Sequence, residues 1–165
     1  MRILARVDAY SNIALGHLNR CINLAVSLEK HGHIVSFLSY NDSTAQAILS
    51  KTHFEYKLIP FKINDKQSKD EELSQLEILS DSIDLLMVDS YNVDQHFFDF
   101  LNNCFPTVGY LDDLSLDFDV DFVINPSCKV TESDYIAKKV LCGLQYVILG
   151  DEFRVGRKEA LSTKK

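Results

Sequence analysis

The chain has 165 residues, of which 46% are hydrophobic and 25% are charged, so it is long enough for one domain with a sizeable core. Its formal net charge of −7, with no basic stripe to offset it, argues against a nucleic-acid-binding protein. No apolar run approaches the roughly 18 residues that a membrane span needs. The first eight residues alternate like a strand and do not resemble a signal peptide. We therefore expect a cytoplasmic protein that binds neither nucleic acid nor membrane.

The four cysteines stand alone in the sequence, at Cys21, Cys104, Cys128 and Cys142. None of them forms a C-x-x-C pair, so their spacing gives little support to a zinc site or to thioredoxin-like chemistry. We predict reduced and mostly buried thiols, which are typical of a cytoplasmic protein.

Strand-like and helix-like stretches alternate along the chain, as a parallel α/β sheet requires. The predicted strands lie near residues 2–7, 34–39, 55–59, 84–88, 107–111, 120–124 and 146–149. The fourth consists of an apolar run between Asp84 and Asp89, a pattern that predicts a central strand buried on both faces.

The clearest predicted helix runs from about Gly16 to Lys30, because its apolar residues recur at three- and four-residue spacing. Gly32 is the predicted left-handed cap that ends it. Weaker helices are predicted near residues 43–51, 70–80, 94–103 and 132–139.

Two polar segments are predicted to lie outside the sheet. Residues 62–72 read as an exposed loop that enters a helix, and the basic tail after Phe153 reads as a linker or a C-terminal arm. This places one α/β domain over residues 1–153 and the linker or arm over residues 154–165.

The start of the first predicted helix carries the leading functional candidate, His17. Ligand sites of α/β sheets lie at the carboxyl ends of strands and face helix N-termini. The helix dipole disfavours a cation at this position, and a neutral imidazole can accept a proton from water. The alternative is a structural or surface histidine, since no metal-ligand spacing surrounds it.

Two arginines and a carboxylate flank this histidine in the sequence. Arg6 and Asp8 lie two residues apart on a strand end, so they share a face and can form a local ion pair or point at a polar ligand. Arg20 lies one helical turn after His17, where it can hold an anion or pair with Asp8.

Polar residues also follow two later strands. Tyr91 comes after the predicted central strand, where its phenol can donate a hydrogen bond to a sugar or a leaving group; the alternative is a partly packed tyrosine beside a helix cap at Asp94. Asp112 and Asp113 follow the next strand and are able to bind a metal or exchange protons. Being adjacent they diverge in direction, so a solvated charged turn is the simpler interpretation.

These residues, taken together in chain order, resemble the UDP-sugar hydrolases of pseudaminic acid biosynthesis (PseG) and the related spore-coat polysaccharide proteins (SpsG). The resemblance covers the chain to about residue 154. It rests on Arg6, Asp8, Gly16, His17, Arg20, Cys21, Asp89, Tyr91, Asp94, Leu111, Asp112, Asp113, Asn125, Pro126, Gly143, Tyr146, Leu149, Glu152 and Phe153.

The resemblance implies a fold, a reaction and a set of site residues. It implies an α/β, Rossmann-like parallel sheet that forms the N-terminal half of a GT-B architecture. It implies hydrolysis of UDP-2,4-diacetamido-2,4,6-trideoxy-β-L-altropyranose without metal or other cofactor, with His17 as the base and Tyr91 as a second catalytic residue. Its remaining matches imply substrate contacts at Arg6, Asp8, Gly16, Arg20, Asp112 and Asp113.

Two features depart from this family. Ala14 stands where the family has a glycine, which adds a methyl group and narrows the allowed backbone angles. The family's second, nucleotide-holding domain is also absent from the sequence, so the chain resembles an N-terminal half alone: a truncated gene product, an expressed part of a longer protein, or a split protein whose partner is a separately encoded C-terminal domain. We expect little hydrolase activity from the chain alone. The same missing domain predicts an exposed apolar patch.

Three functions stay open at this point. The chain is the catalytic half of a nucleotide-sugar hydrolase, half of a GT-B glycosyltransferase in which His17 deprotonates a sugar hydroxyl, or a non-catalytic remnant that only binds. The first two differ in the acceptor alone, and the ordered residues favour the hydrolase.

Overall fold

The computed structural model describes residues 1–10, 15–60, 66–114, 116–153 and 156–157, with Lys66 described by its backbone. Within them, strands that are all parallel form one seven-stranded sheet in the order β3-β2-β1-β4-β5-β6-β7. The strands are β1 (Arg2–Val7), β2 (Ile34–Tyr40), β3 (Glu55–Ile59), β4 (Leu85–Asp89), β5 (Val108–Leu111), β6 (Phe122–Asn125) and β7 (Lys139–Cys142). The helices are α1 (Gly16–Lys30), α2 (Ser43–Leu49), α3 (Lys66–Ser80) and α4 (Gln95–Cys104), with short 3-10 helices at Glu132–Asp134 and Leu144–Tyr146.

The helices cover both faces of the sheet, which gives a three-layer α/β domain. On one face Leu18 of α1 and Leu49 of α2 pack in the same cluster as Phe37 of β2. On the other face Leu76 of α3 and Phe98 of α4 pack in a second cluster with strand residues. The predicted fold class is therefore confirmed, including β4 as the central strand.

Alternation along the strands assigns each side chain at the functional edge to one of these faces. In β1, Leu4 packs on the α3/α4 side and Ala5 packs on the α1/α2 side. In β4, Val88 lies on the α3/α4 side and Met87 on the α1/α2 side. Because side chains alternate with period two, Arg6 faces α3 and Asp89 faces α1.

The order of the strands reverses between β1 and β4, which are neighbours in the sheet but are separated by two strands in the sequence. Such a switch point opens a crevice at the carboxyl ends of the two strands, where open α/β sheets bind their ligands. Asp8 follows β1 and Asp89 ends β4, so both carboxylates lie at this crevice.

Helix α1 has the predicted bounds, and its end explains the glycine that follows. Gly32 has φ = +83°, its N–H donates to Glu29 O, and the N–H of His33 donates to Leu28 O. This pair of bonds is a Schellman motif, which needs a left-handed residue at the position of Gly32.

The last quarter of the sequence departs from the prediction. The predicted helix at 132–139 is a single 3-10 turn, closed by a capping box between Thr131 and Asp134, and it is followed by the unpredicted strand β7. The predicted strand at 146–149 is wrong, because β7 already pairs with β6 and the exposed Val147 and Leu149 lie beyond it.

The structure also tests several smaller predictions. Helix α3 begins at Lys66, so the second part of the predicted 62–72 loop is helical, while residues 61–65 lie outside the described residues.

Cys21 is buried, whereas Cys104 and Cys142 are partly buried and Cys128 is exposed, so the prediction of mostly buried thiols is wrong; all four are free. Ala14 and most of the tail after Phe153 fall outside the described residues. No helix within the described ranges is long and apolar enough to cross a membrane.

We expect Gly32→Ala to lower the free energy of unfolding by about 1 kcal/mol, because a Cβ makes the left-handed backbone costly. Gly32→Asn should cost less, since asparagine tolerates this conformation better. Gly16→Ala is the control, because an added Cβ there meets no atom within 4 Å. Urea unfolding of the three variants measures the difference, and an equal cost for Gly32→Ala and Gly16→Ala contradicts the assignment.

Candidate functional site

The carboxylate of Asp89 is the centre of the site at the switch point. Its side chain is fully buried at the end of β4, and it binds three residues of α1. His17 Nδ1 contacts Oδ1, Arg20 donates from Nη2 to Oδ1 and from Nε to Oδ2 at 2.5 Å each, and Cys21 Sγ donates to Oδ2 at 3.3 Å. The first turns of α1 are therefore tied to the central strand through one carboxylate.

This geometry fixes the tautomer of His17. An ionised carboxylate only accepts hydrogen bonds, so Nδ1 must carry the proton that it shares with Asp89. The contact of 3.2 Å between Arg20 Nη2 and His17 Nδ1 follows from the fact that both bind the same oxygen. Nε2, which has no hydrogen-bond partner within the described part of the chain, keeps a lone pair that can accept a proton.

The three polar partners also define the charge state of Asp89. Burial opposes its ionisation, but the hydrogen bonds from Arg20 and His17 outweigh burial, and the pKa of Asp89 lies below its ordinary value. Burial lowers the pKa of Arg20, but the hydrogen bonds and the charge of Asp89 outweigh burial. The net pKa lies above its ordinary value, so the guanidinium stays charged. Burial and the adjacent Asp89 raise the pKa of the Cys21 thiol well above its ordinary value, so this cysteine is a neutral donor.

Tyr91 covers the imidazole of His17. The two ring centres are 4.3 Å apart with the planes at 84°, an edge-to-face contact. The Tyr91 hydroxyl donates to Asp113 Oδ2 at 3.1 Å, and the same oxygen accepts from Arg20 Nη1 at 3.1 Å. Tyr91 is 42% exposed whereas His17, which packs against its ring, is 4% exposed, so the Tyr91 ring shields part of the imidazole from solvent. Burial and then the charge of Asp113 raise the pKa of Tyr91, which keeps the hydroxyl protonated.

Arg6 and Asp8 form a second buried cluster, on the opposite face of the sheet. Arg6 is 1% exposed, and its guanidinium donates to Asp8, Glu72 and Tyr40. The local ion pair is therefore present, and alternation along β1 explains why Arg20 binds Asp89 and Asp113 and does not bind Asp8. Neither Arg6 nor Asp8 presents its charge to solvent.

The adjacent carboxylates Asp112 and Asp113 point in different directions, as expected. Asp113 is partly exposed and belongs to the Arg20 and Tyr91 contacts. Asp112 is fully buried and accepts from Asn125 Nδ2 at 3.0 Å and from the Tyr135 hydroxyl at 2.6 Å. The interpretation of both residues as a solvated turn is therefore wrong for Asp112, which anchors the ends of β5 and β6.

The structure brings together His17, Arg20, Tyr91 and Asp113, and places Gly16 beside them as the first residue of α1. Asp94 caps α4 by accepting a hydrogen bond from the N–H of Phe97, which confirms the helix cap that was part of the alternative interpretation of Tyr91. The sequence analysis used Asp89 as the boundary of a strand and as one residue of the family resemblance, but gave it no role in the site and so missed the residue that organises it. Its position directly after a buried apolar strand was the available signal.

Two grooves lie near this edge. A groove of about 110 Å³ adjoins Arg20 and is otherwise apolar, with walls from Leu111, Ile124, Pro126, Val147 and Ile148. A larger groove of about 220 Å³ lies between α3 and α4 and includes Glu72 and Asn92, but not His17 or Tyr91. Among the described residues no group of His, Cys, Asp and Glu has the arrangement of a metal site.

Comparison with known proteins gives the fold class. No family model matches the chain, and no curated protein matches it. The crystal structure of MurG from Acinetobacter baumannii matches 86% of this chain with a TM-score of 0.62 and 9% sequence identity. The chain corresponds to 45% of the MurG chain, and its seven-stranded sheet has the Rossmann-like fold of one half of a GT-B protein.

We expect Asp89→Asn to lower the free energy of unfolding by about 3 kcal/mol, because it breaks a buried, hydrogen-bonded ion pair. The folded pKa of Asp89 lies below the ordinary 3.8. The contribution of the ionised Asp89 to the free energy of unfolding is therefore complete above pH 3.8, and it is lost as the pH falls through the folded pKa. When the free energy of unfolding is measured against pH, its decrease below pH 3.8 should be shallower in Asp89→Asn than in the wild type.

Asp121→Asn is the control for this measurement, because Asp121 is only partly buried and binds Lys138 and the N–H of Val108 away from the site. A cost of Asp89→Asn no larger than that of the control contradicts the central role of Asp89.

We expect Tyr91→Ala to accelerate the modification of His17 by diethyl pyrocarbonate, because the phenol covers the imidazole. Tyr91→Phe keeps the ring and should leave the rate close to that of the wild type. Mass spectrometry of the peptide that contains His17 measures the rate, with the exposed His53 as an internal reference. Equal rates of modification in Tyr91→Ala and wild type contradict the shielding of His17 by Tyr91.

Proposed function

We propose that this chain is the base-carrying half of a GT-B enzyme that acts on a nucleotide-linked sugar. The observation that supports it best is the pairing of His17 with the buried Asp89 at the switch point of the sheet. A carboxylate that holds Nδ1–H leaves Nε2 as a positioned proton acceptor, which is the arrangement of a general base. The likeness to MurG supports the GT-B architecture.

In the proposed reaction an O–H oxygen attacks the anomeric carbon of the sugar. His17 Nε2 takes the proton of this hydroxyl while the new C–O bond forms. The bond between the anomeric carbon and the phosphate oxygen breaks, and UDP leaves with the electron pair. Asp89 stabilises the imidazolium that results, and the proton then passes from His17 to solvent.

The acceptor distinguishes the two enzymatic versions of this proposal. Attack by water makes a hydrolase, whereas attack by a sugar hydroxyl makes a glycosyltransferase. The likeness to MurG favours the transferase, because MurG is a GT-B glycosyltransferase. The hydrolase of UDP-diacetamido-trideoxyhexoses rests on the ordered residues that resemble PseG and SpsG. Both versions assign the same role to His17.

The remaining site residues have proposed roles that follow from their positions. Tyr91 offers its hydroxyl, which binds Asp113 in the structure, to the sugar or its leaving oxygen, and Gly16 offers the backbone N–H of the first turn of α1. Asp113 is the exposed carboxylate of the site. Arg20 and Asp112 are engaged by protein partners, so they hold the shape of the site in this proposal.

A second domain is part of the proposal. Residues 1–153 form the base-carrying domain, and residues 154–165 lead toward a domain, in the same or another chain, that holds the nucleotide. Large exposed apolar side chains at this edge support such a contact, namely Leu15, Tyr91, Leu114 and Val147. Catalysis needs the leaving UDP to be held while the nucleophile is activated, so the chain alone should be almost inactive.

The test is UDP release from UDP-linked acetamido sugars, with and without a hydroxyl acceptor. The chain is assayed alone and together with a nucleotide-holding GT-B domain. We expect His17→Ala to lower kcat at least ~100-fold with little change in nucleotide affinity. His53→Ala, which changes an exposed histidine paired with Glu29, is the matched control.

The outcomes separate the candidate functions. Free sugar as the product supports the hydrolase, and a new glycoside supports the transferase. Normal turnover by His17→Ala overturns the role of the base. Tight binding of nucleotide sugar without any UDP release by the combined domains contradicts the enzymatic proposal and supports a binding module.

A further inference from the structure

We propose that the buried cluster of Arg6, Asp8 and Glu72 acts as a positioning device for Tyr91. The cluster lies on the α3 face of the sheet, yet it fixes the turn after β4 and so holds the Tyr91 ring against His17 on the other side. The kinetic consequence rests on the proposed function, whereas the contact between the two rings is measurable without any substrate.

The cluster is built around the Arg6 guanidinium, and each of its three nitrogens donates a hydrogen bond. Arg6 donates from Nε to Glu72 of α3, from Nη1 to Asp8, and from Nη2 to the Tyr40 hydroxyl. The Tyr40 hydroxyl in turn donates to the second oxygen of Glu72 at 2.9 Å. Strands β1 and β2 and helix α3 are thus joined in one buried network, which fixes the orientation of the Asp8 carboxylate.

Asp8 connects this network to the turn that follows β4. Its Oδ2 accepts from Ser90 Oγ at 2.8 Å and from the Tyr91 N–H at 3.2 Å, and its own N–H donates to Asp89 O at 3.0 Å. Ser90 Oγ also accepts from the N–H of Asn92 at 3.0 Å. The backbone of the turn therefore has its position set by a carboxylate of the neighbouring strand.

Three consecutive residues of this turn serve the two faces of the sheet. Asp89 holds the Nδ1 side of His17 on the α1 face. Ser90 and the backbone of Tyr91 bind Asp8, while the Tyr91 ring lies on His17. A shift of the turn moves the cover of the imidazole, so Asp8 acts on His17 through Tyr91 without touching it.

The charges of the cluster identify a variant that separates positioning from folding. Two buried carboxylates, Asp8 and Glu72, face one guanidinium, Arg6. Asp8→Asn leaves one carboxylate against one guanidinium, so no unpaired buried charge is created. An amide has one acceptor oxygen, so it cannot accept from both Arg6 and the Tyr91 N–H in the present geometry.

The experiment is NMR of the full chain with labelled histidine and tyrosine. We expect a nuclear Overhauser effect between the rings of Tyr91 and His17 in the wild type. In Asp8→Asn this effect should lose most of its intensity, and the ring protons of His17 should shift toward their positions in Tyr91→Ala. Ser90→Ala, which removes one of the two donors to Asp8 Oδ2, should produce a smaller shift in the same direction.

Asp121→Asn is the matched control, because it makes the same change in a carboxylate that accepts a backbone N–H, from Val108 at 2.7 Å, at the opposite end of the sheet. The proposal is overturned if Asp8→Asn keeps the contact between the rings and moves the His17 resonances no more than Asp121→Asn does. If Asp8→Asn does not fold, Ser90→Ala decides: unchanged His17 resonances in that variant also overturn the proposal.

The kinetic arm uses the assay for UDP release. Asp8→Asn should lower kcat by about 10- to 100-fold with an unchanged KM for the nucleotide sugar, because it misplaces groups at the reacting centre without touching the nucleotide. A wild-type mixture that never releases UDP contradicts the proposed function and leaves the NMR arm to decide the positioning role. Loss of the ring contact in Asp8→Asn together with a normal kcat contradicts the kinetic consequence.

Discussion

A carboxylate buried at the end of the central strand is the constraint on which the rest of this site depends. Removing Asp89 from water costs free energy that only paired, hydrogen-bonded partners offset. Those partners are His17, Arg20 and Cys21, which occupy one face of the first turns of α1. The helix is therefore fixed in its rotation as well as in its position, and the imidazole orientation follows from this packing.

The period of the strands then divides the polar residues between two faces. Arg6 and Asp89 belong to neighbouring strands, yet alternation sends one toward α3 and the other toward α1. The two clusters meet only where the strands end, at the turn of Ser90 and Tyr91. A site at a switch point can in this way combine groups that lie on opposite sides of the sheet.

The parts of the fold that the sequence predicts well are those with a long, local signal. The stripe of α1 and the apolar run of β4 each determine an element from neighbouring residues alone. Strand β7 has four residues and too short a local pattern to be recognised, so residues 140–142 belong to no predicted element; its pairing with β6 makes it a strand. The same limit applies to the site. His17 was accessible to sequence reasoning because it opens a helix, whereas its bond to Asp89 joins residues 72 positions apart.

The distribution of charge bears on what this half of a GT-B architecture can do. In the cluster of Asp89, Asp113 and Arg20, two carboxylates face one guanidinium, and the cluster of Asp8, Glu72 and Arg6 repeats this ratio. Both arginines are therefore neutralised by protein carboxylates, and within the described residues neither cluster has a cation to spare for a diphosphate. The excess negative charge disfavours phosphate nearby, whereas it favours a cation such as the imidazolium of the proposed reaction. This charge is compatible with the proposed activation of a nucleophile, and under that proposal the phosphates of a nucleotide sugar bind to groups outside these two clusters.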